Sequence, residues 1–462
     1  MNDGTSRIEY VSYCFPVLSR LFLTATIFWT FCFTSPLKAD DTNWPQFRGA
    51  NSTGAVESKT NLPEKWSATE NVVWKTDIPG RGWSSPIVWE DKIFLTTVVS
   101  LGETEEPKKG LYFGGERGSP KAVHQWFVLC LSLKTGEKIW EHKVREEPPK
   151  SSIHLKNSFA SETPVTDGKQ VYFTFGNVGI FCFDMEGNKV WEKPLKPHKT
   201  RLGWGTAASP AIHGDHLYVV DDNDEESSMM VLNKKDGSVH LTIPREEKSN
   251  WSTPFVWKND KRTEVVTPGT VVRSYDLDGK VLWSLKGMSS ITIATPYEYD
   301  GKLIISSGYV GDVRRPLYAI SPGASGDISL EGTSTSNEFI AWSHFKGGPY
   351  NPSTIPYDGK IYVLHDRGFV AAYNASDGEV VYEKKRLKNG RAFTTSPWAY
   401  NGKLFFLNES GVTYVVQAGE DFKILDINKL GEDDMCMATP ALVGDKLLIR
   451  TEKRIYCFAK QK

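Results

Sequence analysis

The chain has 462 residues, which is enough for several small domains or for one large repeat domain with an extensive core. Its 39 glycines and 15 tryptophans, and its lack of long stretches with helical periodicity, favour an all-β fold with many turns. The formal net charge of −1 creates no global field that would attract nucleic acid, so nucleic acid is excluded as the expected partner.

The first 39 residues are typical of an export signal. Arg20 precedes an apolar run of about a dozen residues, LFLTATIFWTFCF, and small residues follow up to Ala39. This run is shorter than the roughly 20 residues that span a membrane. We therefore expect a signal peptide at residues 1–39 and a periplasmic or otherwise extracytoplasmic mature protein. The alternative is a retained N-terminal anchor that associates the protein with the cell envelope.

Residues 40–70 form a leader, and a short pattern then recurs eight times in residues 71–462. Each copy has Ser or Thr before Pro, about five further residues, a turn rich in Asp, Gly or Lys, and a β-branched or aromatic run, as in ASPAIHGDHLYVV and TSPWAYNGKLFFL. The prolines are Pro86, Pro164, Pro210, Pro254, Pro296, Pro397 and Pro440, with Thr354 in this position in the sixth copy. A spacing of about 43 residues, with two insertions, is typical of β-propeller blades.

Each copy contains four candidate strands, which we name A to D. The eighth copy supplies only strands A, B and C, whereas NVVWKTDI at residues 71–78 resembles an isolated strand D with Trp74 in the position of Trp140. We therefore predict an eight-bladed β-propeller of four-stranded antiparallel blades whose last blade is completed by the N-terminal strand. The alternative is an open ring of seven blades with a loose tail.

Three of the six cysteines occupy the same position of strand C in different blades. These are Cys130, Cys182 and Cys457. Equivalent positions in different blades are farther apart than the roughly 7 Å between Cα atoms that a disulfide allows. We expect these thiols to be buried and free.

The stretches LCLSLKTGEKIW, CFDMEGNKVW and DGKIYVL…GFVAAYNASDGEVVY resemble the repeats of the PQQ-like (pyrroloquinoline-quinone-like) propeller family, over about residues 71–462. NWPQFRGANSTG resembles the leader of many exported members. The resemblance implies an eight-bladed fold in which Trp140, Trp191 and Trp283 pack between neighbouring blades. The family includes quinone-dependent alcohol dehydrogenases and non-enzymatic scaffolds similar to the outer-membrane assembly protein BamB.

The sequence departs from the enzymes of this family in its cysteines. Those alcohol dehydrogenases place an adjacent Cys-Cys disulfide beside the quinone, and this chain has neither a Cys-Cys pair nor a CxxCH haem motif. We therefore expect a monomeric, non-catalytic scaffold, without cofactor or metal, that binds a protein, peptide or polysaccharide partner. The alternative is a PQQ-dependent oxidoreductase with quinone and calcium at the mouth of the channel.

Strand direction places the D-to-A and B-to-C loops on one face of the ring, the loop-rich face, and the short turns on the other. The loops before each strand A carry aromatic and arginine residues, which we expect to surround the channel mouth and to bind a ligand or partner. Including one B-to-C loop, the predicted binding residues are Arg81, Trp83, Arg201, Trp204, Trp251, Tyr350, His365, Arg367, Arg391 and Phe393. The alternative is that the tryptophans pack between blades beneath the arginine stems.

Three other segments depart from the repeat. The insertion at residues 100–125 suits a lid or a partner-binding loop, or is a tolerated surface insertion. The Ser/Gly-rich insertion at 321–338 predicts a flexible loop on the opposite face. The acidic stretch at 221–226 predicts either a solvated loop or a calcium site.

Overall fold

The computed structural model describes residues 1, 8–14, 42–110, 113–431 and 435–461. The apolar run of the predicted signal peptide lies outside these residues, so its role stays a prediction. The chain divides into residues 1–40 and residues 41–462, and in the first part the described residues 8–14 form neither helix nor strand. No helix among the described residues is long and apolar enough to cross a membrane.

Residues 41–462 form eight antiparallel β-sheets, in each of which strands A, B, C and D follow one another in space. In blades 1 and 2 the strands are Ile87–Trp89, Lys92–Ser100, His124–Ser132 and Lys138–Glu147, then Val165–Thr166, Gln170–Phe175, Gly179–Asp184 and Lys189–Pro194. In blades 3 and 4 they are Ala211–His213, His216–Asp221, Ser228–Asn233 and Val239–Pro244, then Phe255–Lys258, Thr263–Thr267, Val271–Tyr275 and Val281–Lys286. The predicted all-β, eight-bladed propeller is confirmed.

The second half of the ring repeats this arrangement. Blades 5 and 6 contain Tyr297–Tyr299, Lys302–Ser306, Leu317–Ile320 and Ile340–His344, then Ile355–Tyr357, Lys360–Leu364, Phe369–Asn374 and Val380–Arg386. Blades 7 and 8 contain Trp398–Tyr400, Lys403–Leu407, Val412–Gln417 and Ile424–Lys429, then Ala441–Val443, Lys446–Arg450, Arg454–Phe458 and the N-terminal strand Val72–Asp77. One short 3-10 turn, Arg201–Gly203, precedes blade 3.

The core lies between adjacent blades. Strand B is apolar on both faces, as in Lys360–Leu364, where every residue after the lysine is buried. Strand D alternates between partly buried and exposed side chains, as in Val72–Asp77, because only one of its faces meets a neighbouring blade.

The Ser or Thr of the recurrent pattern joins neighbouring blades around the channel. The backbone N–H of Ser85 donates to the hydroxyl of Thr163 in the next blade at 3.0 Å, and the N–H of Thr439 donates to the hydroxyl of Ser85 at 3.1 Å, which closes the ring. The same bond runs from Thr163 to Ser209, Ser209 to Thr253, Thr295 to Ser353, Ser353 to Ser396 and Ser396 to Thr439. These hydroxyls satisfy buried N–H groups that would otherwise be costly.

The N-terminal strand completes blade 8. Val72–Asp77 pairs antiparallel with Arg454–Phe458, and Trp74 lies opposite Cys457. The indole of Trp74 donates to the carbonyl oxygen of Leu133 in blade 1 at 3.0 Å. The two ends of the chain therefore share one blade, as in the predicted closure.

Most of the tryptophans of strand D dock on the next blade. Trp191 and Trp342 donate to Lys234 and Ala375 in the following C-to-D turns, at 2.7 and 3.0 Å. A glycine in the turn makes room for the ring: a Cβ on Gly237 would lie 2.6 Å from the Trp191 ring. Trp283 differs, because its indole donates to Glu264 within blade 4 at 2.7 Å.

The leader spans the channel. Trp44 pairs with Val88 in blade 1, whereas the Arg48 guanidinium, buried on the other side of the ring, donates to the carbonyl oxygen of Thr354 in blade 6 at 2.6 Å and lies 5.5 Å from the Tyr297 ring. Ala55 then pairs with Ala399 in blade 7. The leader is therefore part of the fold.

Two expectations about loops hold only in part, since residues 331–338 and 224–226 are exposed and outside strands while the residues beside them are structured. Gly326–Asp327, within the Ser/Gly-rich insertion, adds a fifth strand parallel to strand D of blade 4, and Ile328 beside it is buried. Asp222, at the start of the acidic stretch, is fully buried and accepts two hydrogen bonds from Arg245 at 2.7 and 2.9 Å. The ion pair with Arg245, which the local sequence does not reveal, holds Asp222 inside the fold.

Cys130, Cys182 and Cys457 are buried and free, and Cys436 is buried as well. Burial raises the pKa of the Cys130 thiol to about 12. The expectation of buried free thiols is therefore confirmed for Cys130, Cys182 and Cys457.

Candidate binding site at the loop-rich face

A cavity of about 220 Å³ lies in the channel between the leader and the loop-rich face. Four of the predicted aromatic residues line it, namely Trp83, Trp204, Trp251 and Tyr350. Phe47 of the leader also lines it, together with hydroxyls of the inter-blade ring. The structure therefore brings the aromatic residues of four separate loops to one cavity.

These aromatic side chains also contact one another. The rings of Trp204 and Trp251 lie 6.1 Å apart, and the Trp251 indole donates to the carbonyl oxygen of Gly205 at 2.7 Å. The guanidinium of Arg201 lies 5.6 Å from the Tyr309 ring, which packs against Tyr350. The rings therefore pack together and also line the cavity, and their role in binding stays a prediction.

The other predicted residues lie elsewhere. Arg81 pairs with Glu452 at 3.0 Å and lines a second cavity of about 550 Å³ beneath the insertion at 100–125. Phe393 is fully buried in the core against Tyr414. Arg367 and Arg391 are exposed, and His365 is partly buried. The structure does not bring these side chains to the central cavity, and their role in binding stays a prediction.

The charged residues nearest the central cavity were not identified from the sequence. Lys156 lines the cavity, and its Nζ pairs with Oε1 of Glu409 at 2.5 Å. Both side chains are buried, with 7% and 0% of their surface exposed. Glu409 also accepts hydrogen bonds from the hydroxyl of Thr394 at 2.7 Å and from the N–H of Gly110 at 2.6 Å. This carboxylate is therefore fully engaged within the protein.

Asp366 is a second buried carboxyl group on this face. It accepts a hydrogen bond from the N–H of Asn351 at 2.8 Å. Burial is the main cause that raises the pKa of Asp366 to about 7, while Lys156 opposes the shift. Burial also lowers the pKa of His154 to about 4, so this imidazole is neutral at neutral pH.

We expect Asp366→Asn to stabilise the protein at alkaline pH. Because the folded-state pKa of about 7 lies above the ordinary value of 3.8, the wild type loses stability as pH rises through this window. The variant lacks this loss, so its advantage should grow by roughly 1.4 kcal/mol per pH unit within the window and level off above it. Urea unfolding at pH 5 and pH 8 measures the effect, and equal differences at the two values would contradict it.

The insertion at residues 100–125 crosses the channel mouth. Gly110 bonds to Glu409 of blade 7, whereas the carbonyl oxygen of Gly115 accepts from the Trp204 indole at 3.3 Å beside blade 3. The ring of Phe113 packs edge-on against Trp204, and 63% of its own surface is exposed. Leu111 and Tyr112, two of its predicted apolar residues, lie outside the described residues. The insertion has the position expected of a lid.

The residues at this mouth do not fit a quinone held by calcium. Calcium takes six to eight oxygen ligands, several of them carboxylates. Glu409 is already bonded to Lys156 and Gly110, and Asp366 accepts the N–H of Asn351. No group of three His, Cys, Asp or Glu side chains suited to a metal ion occurs in the described part of the chain.

Comparison with known proteins places the chain among propellers with related repeats. The family model described as "Outer membrane protein assembly factor BamB" matches residues 124–195 and 180–313. A search of curated proteins finds no match.

Two solved structures share the fold. BamB from Moraxella catarrhalis superposes with a TM-score of 0.56 at 13% identity and covers 84% of this chain and 97% of its own. A quinohemoprotein alcohol dehydrogenase from Pseudomonas putida HK5 gives a TM-score of 0.55 at 10% identity, covering 92% of this chain and 81% of its own. The likeness to both an assembly factor and an alcohol dehydrogenase shows the fold and does not separate the two functions. The chain is thus an eight-bladed propeller in which residues 124–313 match the PQQ-like repeat model.

Proposed function

We propose that this protein is an exported, monomeric, non-catalytic scaffold that binds a partner protein through its loop-rich face. The rigid ring positions loops whose side chains make contacts and take part in no chemistry. The repeat model that matches the chain describes an outer-membrane protein assembly factor, and a protein partner accords with that description.

The distribution of exposed apolar side chains carries this proposal. In the described part of residues 42–461, five large ones outside the strands lie in loops of the loop-rich face, and one, Leu277, lies in a turn of the opposite face. The five are Leu101, Phe113, Val310, Val313 and Phe345. The others lie in strands, namely Phe369 at the loop-rich end of a strand C and the rest along the outer D strands. Apolar surface concentrated on one face of a ring marks an interaction surface.

The arrangement of charge at the channel mouth agrees with binding. A catalytic acid or base must reach a substrate, whereas Lys156 and Glu409 are buried and bonded to each other. The insertion that crosses the mouth bonds to this pair through Gly110. The buried pair therefore holds the insertion in place, which is the part that a non-catalytic scaffold requires of it.

Site-specific photo-crosslinking tests the proposal. We would place p-benzoylphenylalanine at Phe113 and Phe345 on the loop-rich face, and at Val239 and Leu277 elsewhere, in cells of the source organism. We expect one and the same protein to be crosslinked from both loop-rich positions and from neither control position. Equal crosslinking from all four, or none from Phe113 and Phe345, would contradict the proposal.

A further inference from the structure

The exposed apolar residues of the loop-rich face are concentrated on two neighbouring blades. Val313 of blade 5 is 71% exposed, and Phe345 and Phe369 at the ends of blades 5 and 6 are 50% and 40% exposed. Buried aromatic anchors dominate the energetics of protein interfaces, and exposed apolar residues that cluster on one part of a surface mark a site of interaction. These three residues form the apolar part of a surface that we call the blade 5–6 patch.

Arginine side chains cover one side of each phenylalanine. The guanidinium of Arg314 lies 5.2 Å from the centre of the Phe345 ring, and that of Arg386 lies 4.8 Å from the centre of the Phe369 ring. Cation–π contacts of this kind contribute about 0.5–1 kcal/mol at exposed sites and hold both partners in place. Rings that are fixed before binding lose little entropy when a partner arrives.

Hydrogen bonds fix the loops of the patch within each blade. In blade 5 the N–H of Arg315 donates to the carbonyl oxygen of Phe345 at 3.0 Å, and in blade 6 the Arg386 guanidinium donates to the carbonyl oxygen of Arg367. Burial lowers the pKa of His365 in blade 6 to about 4, and the charge of Arg315 in blade 5 adds to this shift. The B-to-C loops of the two blades therefore lie close to each other.

The patch is strongly basic although the chain is almost neutral. Residues 310–315, 345–346, 365–369 and 383–391 hold nine Lys and Arg against three Asp and Glu, whereas the whole chain has 55 against 56. One of the three acids, Asp366, is buried. The nine are Arg314, Arg315, Lys346, Arg367, Lys384, Lys385, Arg386, Lys388 and Arg391. Five of the nine are arginines, which bind carboxylates through two parallel hydrogen bonds.

We propose that the blade 5–6 patch binds an acidic peptide segment of the partner protein, with apolar side chains of that segment against Phe345 and Phe369 and its carboxylates on the surrounding arginines. The inference rests on the proposed function and adds the site and the chemistry of the partner. A peptide is favoured over an anionic membrane because one side of each ring is covered by a guanidinium. A ring that inserts into lipid would have to shed that contact.

Panning a random 12-residue phage-displayed library against the wild-type protein tests the proposal without assuming a sequence. We expect the selected peptides to be rich in Asp and Glu flanking aromatic or aliphatic residues. The strongest would be synthesised with a fluorophore and its Kd measured by anisotropy. Enrichment of basic or uncharged peptides, or failure to enrich any, would overturn the proposal.

Charge reversal locates the binding. Arg367→Glu/Lys385→Glu changes two exposed residues of the patch and should weaken the peptide at least tenfold. The matched variant Lys235→Glu/Lys258→Glu changes by the same charge two exposed lysines of the opposite face, one in a turn and one at the end of a strand A, and should leave Kd within twofold. Equal loss in both variants would reveal a global charge effect and overturn the assignment to the patch.

Two further measurements separate the alternatives. Flotation with vesicles of phosphatidylglycerol and phosphatidylcholine tests whether the protein binds an anionic membrane. Binding to these vesicles, with no peptide selected, would mean that the patch binds lipid and not a peptide. Phe113 lies outside the patch, so a specific crosslink from Phe113 without acidic peptide binding would overturn only this inference. Loss of crosslinks from both Phe113 and Phe345 would overturn the proposed function itself.

Discussion

Removal of residues 71–78 should destabilise the entire ring and not merely loosen one end of the chain. Without Val72–Asp77, strand C of blade 8 loses its outer neighbour, and the backbone groups that paired with it face solvent as an open edge. The same deletion removes the Trp74 indole that joins blade 8 to blade 1. Because each blade is stabilised by both of its neighbours, losing the contact between blades 8 and 1 should weaken the whole ring.

Thermal unfolding of the truncated and full-length proteins measures this effect. A milder variant, Trp74→Ala, keeps the strand but removes the indole that lies over Gly136 and bonds to Leu133, and it should cost about 3 kcal/mol. Val73→Ala is the matched control, because its side chain on the same strand is 47% exposed and should change stability by less than about 0.5 kcal/mol. A truncated protein that melts like the full chain would show that the ring does not depend on this closure.

The fold could be predicted from the sequence because its determinants are local and repeated. At seven of the eight junctions between blades, the hydroxyl before strand A accepts the N–H of the preceding blade, so nearly every copy of the pattern carries the same structural requirement. Trp191 and Trp342 likewise dock on glycine-containing turns of the next blade. Because the pattern occurs eight times, the number of blades could be predicted directly from the sequence.

The parts that could not be predicted depend on contacts between distant residues. Nothing in the sequence around Arg48 indicates that its guanidinium bonds to Thr354, which lies 306 positions away. Lys156 and Glu409 carry no local signal that they form a pair, since one lies in a loop before blade 2 and the other beside blade 7. The aromatic residues of the mouth could be predicted because they occur at the same position, before strand A, in several copies of the pattern. The charged residues were missed because they have no equivalent in the other copies.

The predicted arginines illustrate the same limit. The position before strand A places a residue on the loop-rich face but does not decide whether its side chain turns inward or outward. Arg81 turns towards Glu452 and the second cavity, whereas Arg391 is exposed in the blade 5–6 patch. The ion pairs available nearby, and not the repeat position, determine the direction of these long side chains.

Replacing Glu409 by Ala should both destabilise the ring and release the insertion that crosses the channel mouth. The substitution leaves the buried ammonium of Lys156 without its carboxylate and removes the acceptors of the Gly110 N–H and the Thr394 hydroxyl. Breaking a buried ion pair from one side typically costs about 3–5 kcal/mol. Hydrogen exchange of residues 100–125 should accelerate, because the insertion loses its anchor on blade 7.

A double variant separates these two effects. Lys156→Met/Glu409→Leu removes both charges, so it should recover much of the stability lost in Glu409→Ala while the insertion stays released. Glu116→Ala, which removes an exposed carboxylate from the insertion itself, is the control and should leave both stability and exchange unchanged. Lower stability of Glu409→Ala with wild-type exchange at residues 100–125 would contradict this prediction. The insertion would then be held in place by other contacts and not by the bond from Gly110 to Glu409.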